Sequence, residues 1–115
     1  MTILATNNTM VAVSNSTTRR ANVIAYRTRS FEMGVIKAQL IDVLKAKLAN
    51  GVAHFTYLKK DGSIREAWGT TASNLMRANI IGNGFPRDLL NCVCYWDVEK
   101  GSFRSLRFEK IIQVF

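Results

Sequence analysis

Histidine is almost missing from this chain of 115 residues, with His54 the single example, and cysteine is limited to Cys92 and Cys94. One histidine cannot build a His-rich metal site, and no Cys-x-x-Cys pair is present to start a zinc cluster. Two apart in a strand, the cysteines share a face but are badly placed to bond each other, so a reducing, cytosolic setting is the simpler expectation. Long apolar runs are also lacking. The best stretch, Val35–Leu48, is interrupted by Lys37, Gln39, Asp42, Lys45 and Lys47, which excludes a membrane span. Acidic residues are absent from Met1–Phe31, which carries four arginines. That composition resembles an organellar transit peptide, but the arginines follow the mildly apolar Met10–Val13 instead of preceding it, which argues against a secretory signal.

What is present fits one small domain. The length is that of a single domain, and 48% hydrophobic residues supply one modest core. Sixteen Lys and Arg against eight Asp and Glu give a net charge of +8, a field that favours polyanionic partners such as nucleic acid.

Along the chain, Thr2–Thr18 is rich in Thr, Asn and Ser with short apolar patches, which predicts an extended arm or peripheral strand. Arg19, Arg20, Arg27 and Arg29 bracket Val23–Tyr26, read as a short strand, so residues 1–31 form a basic N-terminal arm. An amphipathic helix follows within 32–50. Val35, Ile36, Leu40, Val43, Leu44 and Leu48 define its buried face, Ser30 caps it and Asn50-Gly51 stops it. Residues 51–115 read as a small β-barrel on which this helix packs. Val52–Lys59 and Ile64–Thr70 flank Asp61-Gly62; a two-residue turn there pairs Phe55 with Trp68, Tyr57 with Glu66 and Leu58 with Arg65. Thr71–Ile80 suits a short helix and Gly82–Pro86 a loop. Leu90–Val98 and Phe103–Phe108 form a second hairpin, where a Lys100-Gly101 turn sets Asp97 opposite Arg104 as an exposed ion pair, and Lys110–Phe115 is a closing strand.

No catalytic constellation stands out. His54 lacks a Ser or Cys partner and reads as a strand residue at a rim, and Gly82-Asn83-Gly84 lacks the strand-to-helix context of a phosphate loop. The pattern that rises above background is basic and aromatic. Lys59, Lys60, Arg65, Arg104, Arg107 and Lys110 interleave with Tyr57, Trp68, Tyr95, Trp96, Phe103 and Phe108 across the two hairpins. Aromatics that stack bases beside cations that hold phosphates suit single-stranded nucleic acid or a nucleotide. The same residues also suit a core with a solvated basic face, and both readings stay open here.

The segments His54–Thr70 and Tyr95–Arg107 together resemble the small WYL-like family of Sm/SH3-type barrels found in bacteriophages and Bacteroides-type bacteria. The resemblance covers roughly the last 65 residues. It implies a five-stranded small barrel in a phage or mobile-element context, where larger relatives sense nucleotides or nucleic acid and regulate transcription or defence. It also implies Arg104 and Arg107 as the first ligand candidates, with Tyr57 and Arg65 next. The tripeptide that names the family is missing, and no helix-turn-helix precedes the barrel.

The expectation is therefore an α+β chain built on an SH3/Sm-like five-stranded barrel. It is a non-enzymatic, cofactor-free accessory protein in the bacterial cytoplasm that binds nucleic acid or nucleotide through Tyr57, Lys59, Lys60, Arg65, Arg104, Arg107 and Lys110. The alternative is an assembly protein, virion-associated or homo-oligomeric, whose residues 1–31 bind neighbouring subunits.

Overall fold

The structure is a computed structural model that describes residues 2–6, 9–72 and 91–115, with residues 2–6 and 9–13 described as backbone. The chain opens with an antiparallel ribbon, β1 (Thr2–Thr6) and β2 (Thr9–Val13), followed by two helices, α1 (Asn15–Thr28) and α2 (Phe31–Asn50). Five more strands follow: β3 (Ala53–Leu58), β4 (Ile64–Thr70), β5 (Cys92–Asp97), β6 (Ser102–Arg107) and β7 (Ile111–Val114), with a 3₁₀ turn at Phe108–Lys110 before the last. They form one antiparallel sheet in the order β6-β5-β4-β3-β7. The sheet is not closed: β6 and β7 are its two edges and do not pair with each other, so the expected barrel is an open, five-stranded sheet. Of the segment Thr71–Ile80 expected to hold a helix, Thr71 and Ala72 are described and are not helical; the rest of it and the Gly82–Pro86 loop fall on residues 73–90, outside the described residues.

The segment expected to be a basic arm with a Val23–Tyr26 strand contains a helix instead. Ser14 starts α1, its side chain accepting from Thr17 N at 3.2 Å. The buried residues Thr17, Arg20, Ala21 and Ile24 recur at helical spacing, but half of them are polar, so the period is invisible to a hydrophobic scan. Their partner is Asp42 of α2, which accepts from Arg20 Nη2 at 2.7 Å and from Thr17 Oγ1 at 2.5 Å. The remaining arginines are likewise engaged: Arg19 with Asn91, Arg27 with Glu109, and Arg29 over the Tyr26 ring.

In α2 the expected cap is present, Ser30 accepting from Met33 N at 3.2 Å. Its buried face is rotated from the expected one, to Gly34, Val35, Ala38, Ile41, Leu44 and Leu48, leaving Ile36 52% and Val43 47% exposed. Small residues decide this. A Cβ on Gly34 would lie 2.5 Å from the Ala21 carbonyl oxygen, so the helices pack backbone to backbone at a position that hydropathy alone would not select. The same buried face of α2 also carries the sheet: Phe55, Ala67, Val93, Tyr95, Leu106, Phe108 and Ile111 share one buried cluster with the helices.

Both hairpins have registers other than those expected, for one reason: the acidic residue before each turn glycine folds the turn. In the first, Lys59 N donates to Ser63 O at 2.8 Å and Gly62 N to Lys59 O at 3.0 Å, while Asp61 Oδ1 accepts from Ser63 N and Oγ. With Gly62 at φ 88°, the loop is one residue longer than a two-residue turn. The strands slip by one: Phe55 pairs with Ala67, Tyr57 with Arg65, and Trp68 with His54 on the other face. The expected Phe55–Trp68 core pair is thereby separated, and Trp68 instead stacks on His54, with ring centroids 4.4 Å apart. In the second, Asp97 pairs with Ser102 and Arg104 with Tyr95. Asp97 is fully buried, not exposed; Oδ1 accepts from the N–H groups of Glu99 and Lys100 at 3.0 and 2.9 Å and so folds the turn.

Candidate functional site

β4 and β5 pair only at Gly69–Asp97 and Thr70–Trp96. A cleft of about 860 Å³ lies where the end of β3 faces the end of β6. One wall is the end of β3 and its turn, Tyr57 to Asp61; the other is the start of β5 and the end of β6, with Ser105, Leu106 and Arg107. Lys110 from the 3₁₀ turn and Arg27 from the last turn of α1 complete it. Among the described residues, five cationic side chains, Arg27, Lys59, Lys60, Arg107 and Lys110, thus converge on one cleft lined by a single carboxylate, Asp61.

The cations are held differently. Arg27 is fixed by Glu109 at 2.7 Å and by the Asn91 carbonyl at 3.2 Å. Glu109 also meets Arg107 Nε at 3.0 Å, while half of the Arg107 side chain stays in solvent. Lys59 and Lys60 are exposed on the turn, without an ion pair among the described residues. Behind Lys110, Lys37 donates to the Glu109 carbonyl at 2.7 Å. Burial, together with the charge of Lys110, pulls the Lys37 ammonium below its ordinary pKa against the opposing pull of Glu109. A cleft with this excess of positive charge and apolar walls from Tyr57, Leu58 and Leu106 is built to take an anion that also carries apolar surface.

Of the seven expected ligand residues, the fold brings together Tyr57, Lys59, Lys60, Arg107 and Lys110. Arg65 and Arg104 lie elsewhere, both against Asp97 Oδ2: Arg65 in a short charged hydrogen bond and Arg104 at 3.5 Å. Burial would raise the Asp97 pKa, but the backbone N–H of Lys100, the Arg65 guanidinium and the N–H of Glu99 outweigh it and hold the carboxyl below its ordinary value. Arg65 is therefore a structural counter-ion of Asp97, and the slipped register sets it opposite Tyr57. Tyr57 itself is not an exposed stacking ring. It is buried, with its hydroxyl 2.9 Å from that of Tyr95, whose pKa is pushed up first by burial and then by this hydrogen bond. Gly69 makes room for the arrangement, since a Cβ there would collide with the Tyr95 ring.

Sequence reasoning missed Arg27 and Asn91 as cleft residues. Arg27 was assigned to an arm, and its helical position was masked by the polar periodicity of α1; Asn91 reaches the cleft through a left-handed backbone, φ 60°, for which the only sequence signal is the residue type.

Two comparisons bear on this architecture. Residues 41–112 match the family model WYL_2, described as an Sm-like SH3 β-barrel fold. Over 81 residues the chain is 30% identical to a protein of Enterobacteria phage T4 described as an uncharacterized 11.5 kDa protein in the Gp31-cd intergenic region, an alignment covering 68% of this chain and 79% of the phage protein. No solved structure matches significantly. With the family match spanning more than half of the residues and falling on α2 and the sheet that frames the cleft, the chain belongs to the WYL_2 family of Sm-like SH3-fold proteins.

Proposed function

We propose that this is a phage-associated, non-enzymatic accessory protein that binds the phosphodiester backbone of single-stranded nucleic acid in the cationic cleft where the end of β3 faces the end of β6. The observation that carries the reading is the convergence of Lys59, Lys60, Arg107 and Lys110 on one cleft against a single lining carboxylate among the described residues. Solvated lysines on a turn are point charges for phosphate, Arg107 adds a planar fork, and the apolar walls suit a sugar or base edge. A cleft of about 860 Å³ has the size of a small-ligand pocket, so it takes an unpaired strand or a nucleotide and not the width of a duplex. The same proposal gives it a regulatory role in the cytoplasm of a bacterial host, and the phage relative supports the phage association. Among the described residues no helix is long and apolar enough to cross a membrane.

The test is anisotropy titration of labelled single-stranded and duplex oligonucleotides at several salt concentrations. Tighter binding of the single strand, weakened by removing the cleft lysines, supports the reading. Equal loss from removing cations outside the cleft refutes it.

A further inference from the structure

Glu109 does not line the cationic cleft, yet its carboxylate stands behind two of the cations that do. Oε1 accepts from Arg27 Nη1 at 2.7 Å and Oε2 meets Arg107 Nε at 3.0 Å, so each oxygen takes one guanidinium. The carboxylate itself is held still. It sits on the 3₁₀ turn between β6 and β7 with its side chain only 10% exposed, after a fully buried Phe108, and the Glu109 carbonyl accepts from Lys37 of α2 at 2.7 Å.

The two arginines depend on it unequally. Arg27 is mostly buried and has a second anchor, the Asn91 carbonyl at 3.2 Å. Arg107 ends β6, an edge strand of the sheet, with half of its side chain in solvent, and Glu109 is the one carboxylate it meets among the described residues. A long exposed side chain samples many rotamers unless something holds it. A contact at Nε fixes the guanidinium plane and leaves the two terminal nitrogens of the fork for a phosphate. We infer that Glu109 is a positioning residue of the cleft, aiming the Arg107 guanidinium at the phosphate, so that removing this negative charge weakens the binding of a polyanion. The inference rests on the binding of single-stranded nucleic acid proposed above. Its sign is opposite to that of net charge alone, because a cationic protein that loses a carboxylate attracts a polyanion more strongly.

Anisotropy titration of the full chain with a labelled single-stranded oligonucleotide, at several salt concentrations, tests this. Glu109→Gln weakens binding several-fold at about 50 mM salt, reaching about eightfold if the whole contact is lost, and brings the salt slope from about −2.8 towards about −2.1. Glu99→Gln removes the same charge from the exposed turn after β5, outside the cleft, and tightens binding slightly. In an Arg107→Ala background Glu109→Gln no longer weakens binding, whereas a general loss of structure would weaken it there as well. Arg107→Lys, an exposed change that keeps the charge and removes the Nε–H, weakens binding several-fold and leaves the 3₁₀ turn untouched. A wild type that binds no single strand overturns the cleft reading and this inference with it. A wild type that binds overturns the positioning role alone if Glu109→Gln tightens binding as Glu99→Gln does, if its effect is the same without Arg107, or if Arg107→Lys binds like the wild type.

Discussion

Replacing Lys59 and Lys60 together by alanine removes half of the cleft's solvent-facing cations, counted as Lys59, Lys60, Arg107 and Lys110, and leaves the core untouched, because both lysines sit exposed on the β3–β4 turn. Each cation that neutralises a phosphate releases a counterion, and for single strands log K falls with log salt at a slope of about −0.7 per contact. Four contacts correspond to a slope of about −2.8, so raising salt from about 50 to 200 mM weakens wild-type binding about 50-fold. With two contacts left the slope halves to about −1.4, and the same change in salt weakens binding only about 7-fold. The control carries the argument. Lys100→Ala with Arg104→Ala lowers the net charge equally but changes residues outside the cleft, so it shifts affinity modestly and leaves the slope near that of wild type. Fluorescence anisotropy against a labelled single-stranded oligonucleotide measures both quantities. If the two double variants reduce the slope by the same amount, the cleft has no special part and the protein attracts polyanions only through its overall field.

Three further outcomes follow from the packing. Gly34→Ala drives a methyl group into the Ala21 carbonyl and prises α1 from α2, lowering stability by about 1–3 kcal/mol, read as a reduced urea midpoint. Gly69→Ala collides with the Tyr95 ring at the β4–β5 junction and costs a similar amount, about 1–3 kcal/mol; a variant of unchanged midpoint would show that the ring is not held across the strand. Asp97→Asn strands the buried Arg65 guanidinium and costs about 3–5 kcal/mol at neutral pH. Because the folded-state pKa of Asp97 lies below its ordinary value, its contribution is complete above that ordinary value and is lost as pH falls through the folded one. The wild type should therefore lose stability on acidification more steeply than Asp97→Asn, and parallel acid limbs in denaturation curves would contradict the assignment.

The comparison of sequence with structure is most instructive at the turns. Asp61-Gly62 and Lys100-Gly101 mark hairpins correctly, since glycine takes the positive φ each turn needs without steric cost. Their registers escaped because Asp97 and Asp61 hydrogen-bond the turn backbone and lengthen the loop, by two residues in the second hairpin, which keeps the faces, and by one in the first, which exchanges the faces of a strand. That slip moved Trp68 off the core and drew Arg65 into a counter-ion role for Asp97. Most of the cationic cleft was nevertheless legible, because Lys59 and Lys60 belong to a turn and Arg107 and Lys110 to a strand end, places where basic residues stay solvated whatever the register.

Local chemistry by itself determined the caps at Ser30 and the glycine turns, the strand segments of the sheet, and the excess positive charge. Those features depend on neighbours a few residues away. Tertiary structure alone decided that Arg19, Arg20 and Arg27 belong to a packed helix, that Gly34 and Ala38 rather than Ile36 and Val43 face inward, and that the ends of β3 and β6 line one cleft with Arg27 and Lys110. Each of these is settled by the fit of one element against another: the carboxylate of Asp42 between two helices, the close approach at Gly34, and the Tyr95 ring over Gly69. Such contacts join residues far apart in the chain, and no pattern within a single segment encodes them.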